Sequence, residues 1–300
     1  MQVKIMKELE KCKLCPRVCG VNRLNGQKGF CKAGDEVKVA RAALHHWEEP
    51  CLSGKKGSGT VFFAHCTLKC VFCQNYEIST EGNGEVITIE ELATTFLRLQ
   101  EEGAHNINLV TPTQYVPQII EALRLAREKG LYLPIVYNSS GYEKVETLRL
   151  LEGYIDVYLP DFKYFKTAYA LNYSKALDYT YYTKLALDEM VRQIGKASFN
   201  EEGIMQKGVI VRHLMLPGLL FDSKKIVTYI HQTYGDSVYI SIMNQYTPLE
   251  GVKDYPKLNK VVNPKHYEYI TDYAVQIGIE NGFIQEGETA SESFIPKFNE

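Results

Sequence analysis

The sequence predicts an α/β protein, a partial and open parallel β/α barrel of about six βα units with a Cys-rich N-terminal metal-binding extension. Three observations carry that prediction. Apolar runs of strand length alternate with helical patterns from about Thr60 onward. The helical patterns start and stop on capping residues. All eight cysteines lie at or before Cys73, so a thiol-bearing segment leads into a larger scaffold. Residues 1–55 therefore read as the Cys-rich segment and 56–300 as the barrel.

The elements follow in order. Val61-Phe62-Phe63-Ala64 is short, apolar and aromatic, as a buried strand should be. Thr88-Ile89-Glu90-Glu91 is a capping box opening a helix that carries Leu92, Ala93, Phe96 and Leu97 and ends at Gly103. Ile107–Val110 is the second strand; Pro117 opens a helix with Ile119, Ile120, Leu123 and Ala126, closed by Gly130. Leu133–Tyr137 precedes a helix with Val145, Leu148 and Leu151. Ile155–Leu159 precedes a long tyrosine-rich helical region reaching about Lys196, whose stretch from Tyr164 to Tyr182 reads as a partner or substrate surface. Val209–Leu214 precedes a helix opened by Asp222. Val238–Ile242 is the sixth run, and Asn263-Pro264 pairs an N-cap with a first-turn proline. Right-handed crossovers would curl such a sheet, and six units fall short of the eight that close a barrel. A flat doubly wound sheet is the alternative. In both, functional loops follow the C-terminal ends of the strands.

The chain has 300 residues with Lys+Arg 34 and Asp+Glu 36, a net charge of -2, and 45% hydrophobic residues. That balance leaves no footprint for nucleic acid or an anionic membrane as partner. No stretch approaches the roughly 18 apolar residues of a membrane span. Met1–Glu8 lacks an apolar signal core, so the expected location is cytoplasmic. Eight thiols in such a setting point to metal or redox chemistry, not to structural disulfides.

Cys66, Cys70 and Cys73 directly follow the first strand, in the first loop of the expected active face. Soft thiolates this close can wrap a zinc ion or an iron–sulfur cluster. Three cysteines on a [4Fe–4S] cluster leave one iron without a protein ligand, open to a cofactor or substrate. A buried row on one helical face would share the spacing, but a loop after a strand is a poor place for it.

Cys66-x3-Cys70-x2-Cys73, with Phe72 before the last cysteine, resembles the signature of the radical S-adenosylmethionine (radical SAM) superfamily. Gly57–Phe63 and Cys73–Ser79 resemble the branch of pyruvate formate-lyase activating enzymes. The run from Cys12 to Arg23 is similar to that of PflX-like predicted activases. The resemblance implies a [4Fe–4S] cluster on Cys66, Cys70 and Cys73 that binds S-adenosylmethionine (SAM) and cleaves it reductively to a 5'-deoxyadenosyl radical for hydrogen abstraction. It further implies activation of a glycyl-radical enzyme as protein substrate, and a flavodoxin- or ferredoxin-like reductant.

It also implies cofactor-binding roles at the strand ends. Phe72 flanks the cluster. Thr111 and Thr113 stand where relatives have a carboxylate, so hydroxyls meet the methionine ammonium. Asn138 and Ser140 follow strand three, where activating enzymes tend to show Asp-Thr-Asn-Gly. Asp161 and Lys163 match the family's Asp-x-Lys, and Arg212 and His213 place donors near the cofactor carboxylate. Asn244-Gln245-Tyr246 offers amide and phenol groups to adenosine or substrate. No catalytic residue is read beyond the cluster.

Cys12-x2-Cys15-x3-Cys19-x11-Cys31 is a second metal signal, for structural zinc or an auxiliary iron–sulfur cluster. Zinc would fold a segment with little core of its own; a cluster would relay electrons. Cys51 reads as a buried free thiol, and His45 and His46 as packing or surface residues. The rival from another class is a zinc-stabilised scaffold or binding protein without turnover, both cysteine groups being structural.

Overall fold

The computed structural model describes residues 5–285, so the first four residues of the N-terminal run lie outside it. One mixed sheet organises the chain. Its parallel part runs β2 (Ser58–Phe63), β4 (Ile107–Val110), β5 (Ile135–Ser139), β6 (Val157–Pro160), β8 (Met205–Leu214), β9 (Tyr239–Met243) and β10 (Gly282–Ile284), neighbours in that order. β1 (Val37–His45) adds antiparallel to β2, β3 (Glu85–Ile87) pairs antiparallel with β1, and β7 (Ser198–Phe199) pairs antiparallel with β8.

The spatial order of the parallel strands never reverses along the chain. A doubly wound sheet needs such a reversal, so that alternative falls, and right-handed crossovers place successive helices on one face. The ends β3 and β10 do not pair with each other among the described residues, so the barrel stays open.

The six expected strands all form, and β10 adds a seventh parallel one. β1 was not expected: Val37-Lys38-Val39-Ala40-Arg41-Ala42-Ala43-Leu44-His45 mixes polar and apolar residues without a clean alternation, and it is buried fully only at Val37. Its pairing with β2 draws part of segment 1–55 into the sheet.

The helices are α1 (Pro50–Ser53), α2 (Ile89–Glu101), α3 (Val116–Glu128), α4 (Val145–Leu150), α5 (Thr167–Ser174), α6 (Tyr179–Ile194), α7 (Leu220–Tyr234) and α8 (Pro264–Gln276). The capping box holds at α2: Glu91 N donates to Thr88 Oγ1 at 3.1 Å and Thr88 N to Glu91 Oε2 at 2.7 Å. Asn263 caps α8 by accepting from Lys265 N at 3.0 Å. Leu92, Phe96, Ile119, Leu123, Ile226 and Ile230 all bury against the sheet in one continuous core.

Two helical expectations need correction. The tyrosine-rich region is not one helix: Lys175 turns left-handed at φ 52 and separates α5 from α6. Its tyrosines are largely core rather than a partner surface. Tyr164, Tyr173 and Tyr179 are buried; the Tyr164 hydroxyl lies 2.7 Å from Ser174 Oγ, and Tyr179 OH donates to the carbonyls of Ser140 and Asp161 at 2.9 Å. Tyr181 remains exposed. Asp222 does not open α7, which starts two residues earlier. Its carboxylate instead accepts from Phe165 N at 2.8 Å and Lys166 N at 3.0 Å, tying α7 to the loop after β6.

Candidate active site

The loop after β2 is bent by two left-handed residues, His65 at φ 71 and Lys69 at φ 53, which bracket Cys66 and precede Cys70. Val71 N donates to Tyr173 O at 2.9 Å, and Cys73 N to Cys70 O at 3.1 Å. Gly251 lies so close to the Val71 carbonyl that a Cβ there would collide with it. Each thiol has a polar neighbour. Leu68 N donates to Cys66 Sγ at 3.4 Å, Ser174 Oγ to Cys70 Sγ at 3.0 Å, and Ser79 Oγ lies 3.2 Å from Cys73 Sγ. Phe72 packs between Tyr164 and Tyr246, ring centroids 6.3 and 6.1 Å away.

Cys70, Phe72 and Cys73 form one wall of a cleft at the C-terminal ends of the strands. Asn138 from β5, Asp161 and Lys163 after β6, and Arg212 from β8 line the same cleft. A single parallel bridge beyond β6 sets Asp161 beside Arg212, which makes their side chains neighbours. Arg212 Nε donates to Asp161 Oδ1 at 3.1 Å, one terminal nitrogen to Asn138 Oδ1 at 2.6 Å and the other to Glu48 Oε2 at 3.2 Å. Lys163 Nζ donates to Asp161 Oδ2 at 2.6 Å. Gly141, at φ 75, keeps the loop after β5 against the Asp161 carbonyl, where a Cβ would clash.

Burial alone would raise the Asp161 carboxyl, but Lys163 and Arg212 outweigh it and hold that group below the usual carboxylate range. Burial would likewise depress Lys163 and Arg212, yet Asp161 keeps both charged, with Glu48 and Glu49 also acting on Arg212. Glu48 moves upward, because burial exceeds the pull of Arg212. Two cations, Lys163 and Arg212, and the Asp161 carboxylate thus line the same cleft as Cys70 and Cys73. Such a set can grip a ligand with both an ammonium and a carboxylate.

Phe72, Asn138, Asp161, Lys163 and Arg212 therefore come together with Cys70 and Cys73. Cys66, Asn244, Tyr246, Thr111, Thr113, Ser140 and His213 do not line the cleft; Tyr246 is buried with its hydroxyl donating to Leu258 O at 2.8 Å. Thr113 is buried and donates to Glu143 Oε1 at 2.6 Å. Thr111 meets Gln114 through its carbonyl at 2.9 Å, and Ser140 Oγ is buried without a hydrogen-bond partner among the described residues. Both nitrogens of His213 are engaged, by Phe162 O at 2.7 Å and Ser223 Oγ at 2.8 Å; burial lowers its pKa to about 4. Glu48 and the exposed Trp47 line the cleft from the loop after β1, and Gln245 from the loop after β9. Glu48 was missed because its strand was missed. The acidic pair Glu48-Glu49 before Pro50 carries no signal until β1 places it.

The N-terminal thiols gather separately. Cys12 N donates to Val21 O at 2.9 Å and Gly20 N to Cys12 O at 2.9 Å, folding the segment back on itself. Phe30 N donates to Cys19 Sγ at 3.3 Å. Burial is the largest cause raising Cys15 and Cys31, and the neighbouring Cys12 adds to both. Cys51 is buried in a separate small core with Leu52 and Met205, as a free thiol. All eight cysteines are free. Among the described residues, no group of three or more His, Cys, Asp or Glu surrounds a single point as a lone ion would require. An iron–sulfur cube presents one iron to each thiolate and so accepts a wider spread. The triplet's thiols, with the Ser174 hydroxyl and the Leu68 N–H aimed at sulfur, suit such a group by donor chemistry. No helix among the described residues is long and apolar enough to cross a membrane.

A family profile described as the Radical SAM superfamily matches residues 60–222. An uncharacterized protein of Methanocaldococcus jannaschii is 30% identical over 291 residues, covering 93% of this chain and 79% of that protein. Among solved structures, SuiB of Streptococcus suis bound to S-adenosylmethionine superposes with TM-score 0.52 and 17% identity over 76% of this chain and 52% of that one. HydG, described as a maturase of the [FeFe]-hydrogenase, gives TM-score 0.52 and 17% identity over 77% and 52%. The chain thus spans about half the length of these two structures, and identities this low speak for the fold alone.

Proposed function

The chain belongs to the radical SAM superfamily, and from that membership we propose that Cys66, Cys70 and Cys73 hold a [4Fe–4S] cluster whose open iron binds S-adenosylmethionine in the cleft. The observation that carries this reading is the Asp161–Lys163–Arg212–Asn138 network, which lines one cleft at the strand ends together with Cys70 and Cys73 of the triplet. When bound, cluster and cofactor together supply reductive cleavage of a sulfonium C–S bond and a 5'-deoxyadenosyl radical for hydrogen abstraction.

The protein's own groups bind, orient and exclude water. Asp161 accepts from the methionine ammonium, while Lys163 and Arg212 meet the carboxylate. Asn138, fixed by Arg212, offers its amide to the ribose or amino group. Phe72, with Tyr164 and Tyr246 behind it, keeps the cluster face dry. Thr111, Thr113, Ser140 and His213 support these loops from behind. The metal-bearing part of residues 1–55 precedes β1, and β1 with the chain from residue 56 onward forms the barrel. Cys12, Cys15, Cys19 and Cys31 take a second metal: an auxiliary cluster, or zinc once the four thiols draw closer together than they stand here.

The finer reading is a PflX-like activase of the cytoplasm that takes electrons from a flavodoxin- or ferredoxin-like protein and abstracts hydrogen from a glycine of a partner enzyme. Its support is the run from Cys12 to Arg23 and the tail after Cys73. Anaerobic reconstitution with iron and sulfide tests the cluster. A brown protein whose reduced-state electron paramagnetic resonance (EPR) spectrum changes on adding S-adenosylmethionine supports the proposal. A colourless protein holding zinc in the triplet would replace it with the scaffold reading. A glycyl-radical EPR doublet on a candidate partner tests the activase step.

A further inference from the structure

Arg17 and Arg23 belong to the same N-terminal cysteine run, and both reach out of it toward the loop that carries Cys66. Arg17 sits in the turn closed by Val18 N on Cys15 O at 3.1 Å. Its guanidinium lies 3.9 Å from the Phe30 ring centroid, which holds the plane flat within the segment. From there Nε donates to Thr67 O at 3.1 Å, one terminal nitrogen to Ser174 O at 2.9 Å, and the other to Lys175 O. Thr67 directly follows Cys66. Ser174 ends α5, where helix carbonyls lack intrahelical partners, and it is the residue whose hydroxyl donates to Cys70 Sγ.

Arg23 is fully buried. It donates from Nε to Gly34 O at 2.8 Å and from a terminal nitrogen to Gln114 O at 2.6 Å, and that nitrogen lies 3.9 Å from Cys12 Sγ. The Gln114 amide nitrogen in turn donates to Ala64 O, His65 O and Thr111 O at 2.9–3.1 Å. His65 directly precedes Cys66. The carbonyls on both sides of Cys66 are therefore gripped from the N-terminal segment, one directly and one through Gln114. A buried guanidinium is costly to desolvate unless its donors are satisfied. Both arginines meet that need on the main chain of the loops they reach.

We propose that Arg17 and Arg23 are positioning residues through which the N-terminal cysteine segment braces the Cys66–Cys73 loop and sets the Ser174 contact to Cys70. The brace itself stands on hydrogen-bond geometry; its effect on a cluster rests on the function proposed above. Removing the Arg17 donors frees the Thr67 carbonyl and the end of α5. The loop amides then open more often, and the hydroxyl on the Cys70 sulfur loosens. A hydrogen bond to sulfur favours the more negative, reduced cluster, so its loss lowers the midpoint potential.

The test uses the full reconstituted chain and Arg17→Met, which keeps bulk but no donors, with two readouts. Hydrogen–deuterium exchange of peptides covering 64–74 should accelerate about tenfold, the size of one or two lost hydrogen bonds, while β5 and β6 keep wild-type rates. The midpoint potential from EPR-monitored titration should fall. Arg17→Lys, able to keep part of the contacts, should fall between Arg17→Met and wild type in both. Should Arg17→Met not accumulate folded, an intermediate acceleration in Arg17→Lys supports the brace and wild-type rates overturn it. Loop rates within twofold of wild type, or acceleration spread evenly over the sheet, overturn the proposal. Iron and sulfide analysis of the wild type stands apart: a wild type without cluster removes the proposed function, and the exchange data still decide the brace.

Discussion

The hydroxyl of Ser174 donates to the sulfur of Cys70 at 3.0 Å, across 104 residues of sequence, while Tyr164 OH lies 2.7 Å from the same hydroxyl. The relay places the end of α5 directly behind one thiol of the triplet. Hydrogen bonds to ligand sulfurs are among the levers that set a cluster's potential.

Ser174→Ala should therefore lower the midpoint potential while leaving iron content unchanged. The loss of stability should be about 1 kcal/mol, the net worth of one such bond. EPR-monitored redox titration and chemical denaturation read the two effects. An unchanged potential would show that the contact does not tune the site.

Asp161 is the anion shared by Lys163 and Arg212. Asp161→Asn leaves Lys163 and Arg212 with one fewer counter-charge. We expect a loss of about 3 kcal/mol in denaturant unfolding, as for a broken buried ion pair. Affinity for S-adenosylmethionine, which carries net positive charge, should fall about tenfold or more by calorimetry. Full retention of both would remove Asp161 from the cofactor contacts.

Glu143 is fully buried and accepts from Thr113 Oγ1 at 2.6 Å and Tyr137 OH at 3.2 Å; burial raises its pKa from 4.5 to about 7 against those hydrogen bonds. The folded state then binds more protons than the unfolded chain between about pH 4.5 and 7, so this group's contribution weakens as pH rises through that window. Three histidines oppose it. His45, His65 and His213 are lowered to about 4, chiefly by burial, so their contribution grows as pH rises from about 4 to 6.5. Comparison with Glu143→Gln isolates the carboxyl. The variant should gain on wild type from pH 4.5 to pH 8 by up to about 3 kcal/mol. A difference that stays flat with pH would show Glu143 ionising normally.

The strands with dense apolar runs were legible in the sequence, Ile107–Val110 to the residue, because central parallel strands bury both faces. β1 was not, since an edge-side strand with Lys38 and Arg41 follows no simple alternation, and Glu48 and Trp47 were lost with it. The triplet could be read from local spacing, and the Asp161–Lys163 pair from its resemblance to the family's Asp-x-Lys. Arg212 and His213 are adjacent in sequence, but strand alternation turns Arg212 into the cleft and His213 into the core. The reach of Arg17 to Ser174 crosses 157 residues and leaves no mark in the sequence.

The central claim, a cluster on Cys66, Cys70 and Cys73 that cleaves S-adenosylmethionine, is tested most directly by product analysis. The anaerobically reconstituted protein is mixed with S-adenosylmethionine and a strong reductant, and 5'-deoxyadenosine is quantified beside Cys70→Ala. The proposed function predicts product from the wild type and none from the variant, with any metal at Cys12, Cys15, Cys19 and Cys31 retained. A wild type that makes no 5'-deoxyadenosine while holding zinc in the triplet, or a Cys70→Ala variant as active as wild type, would contradict it.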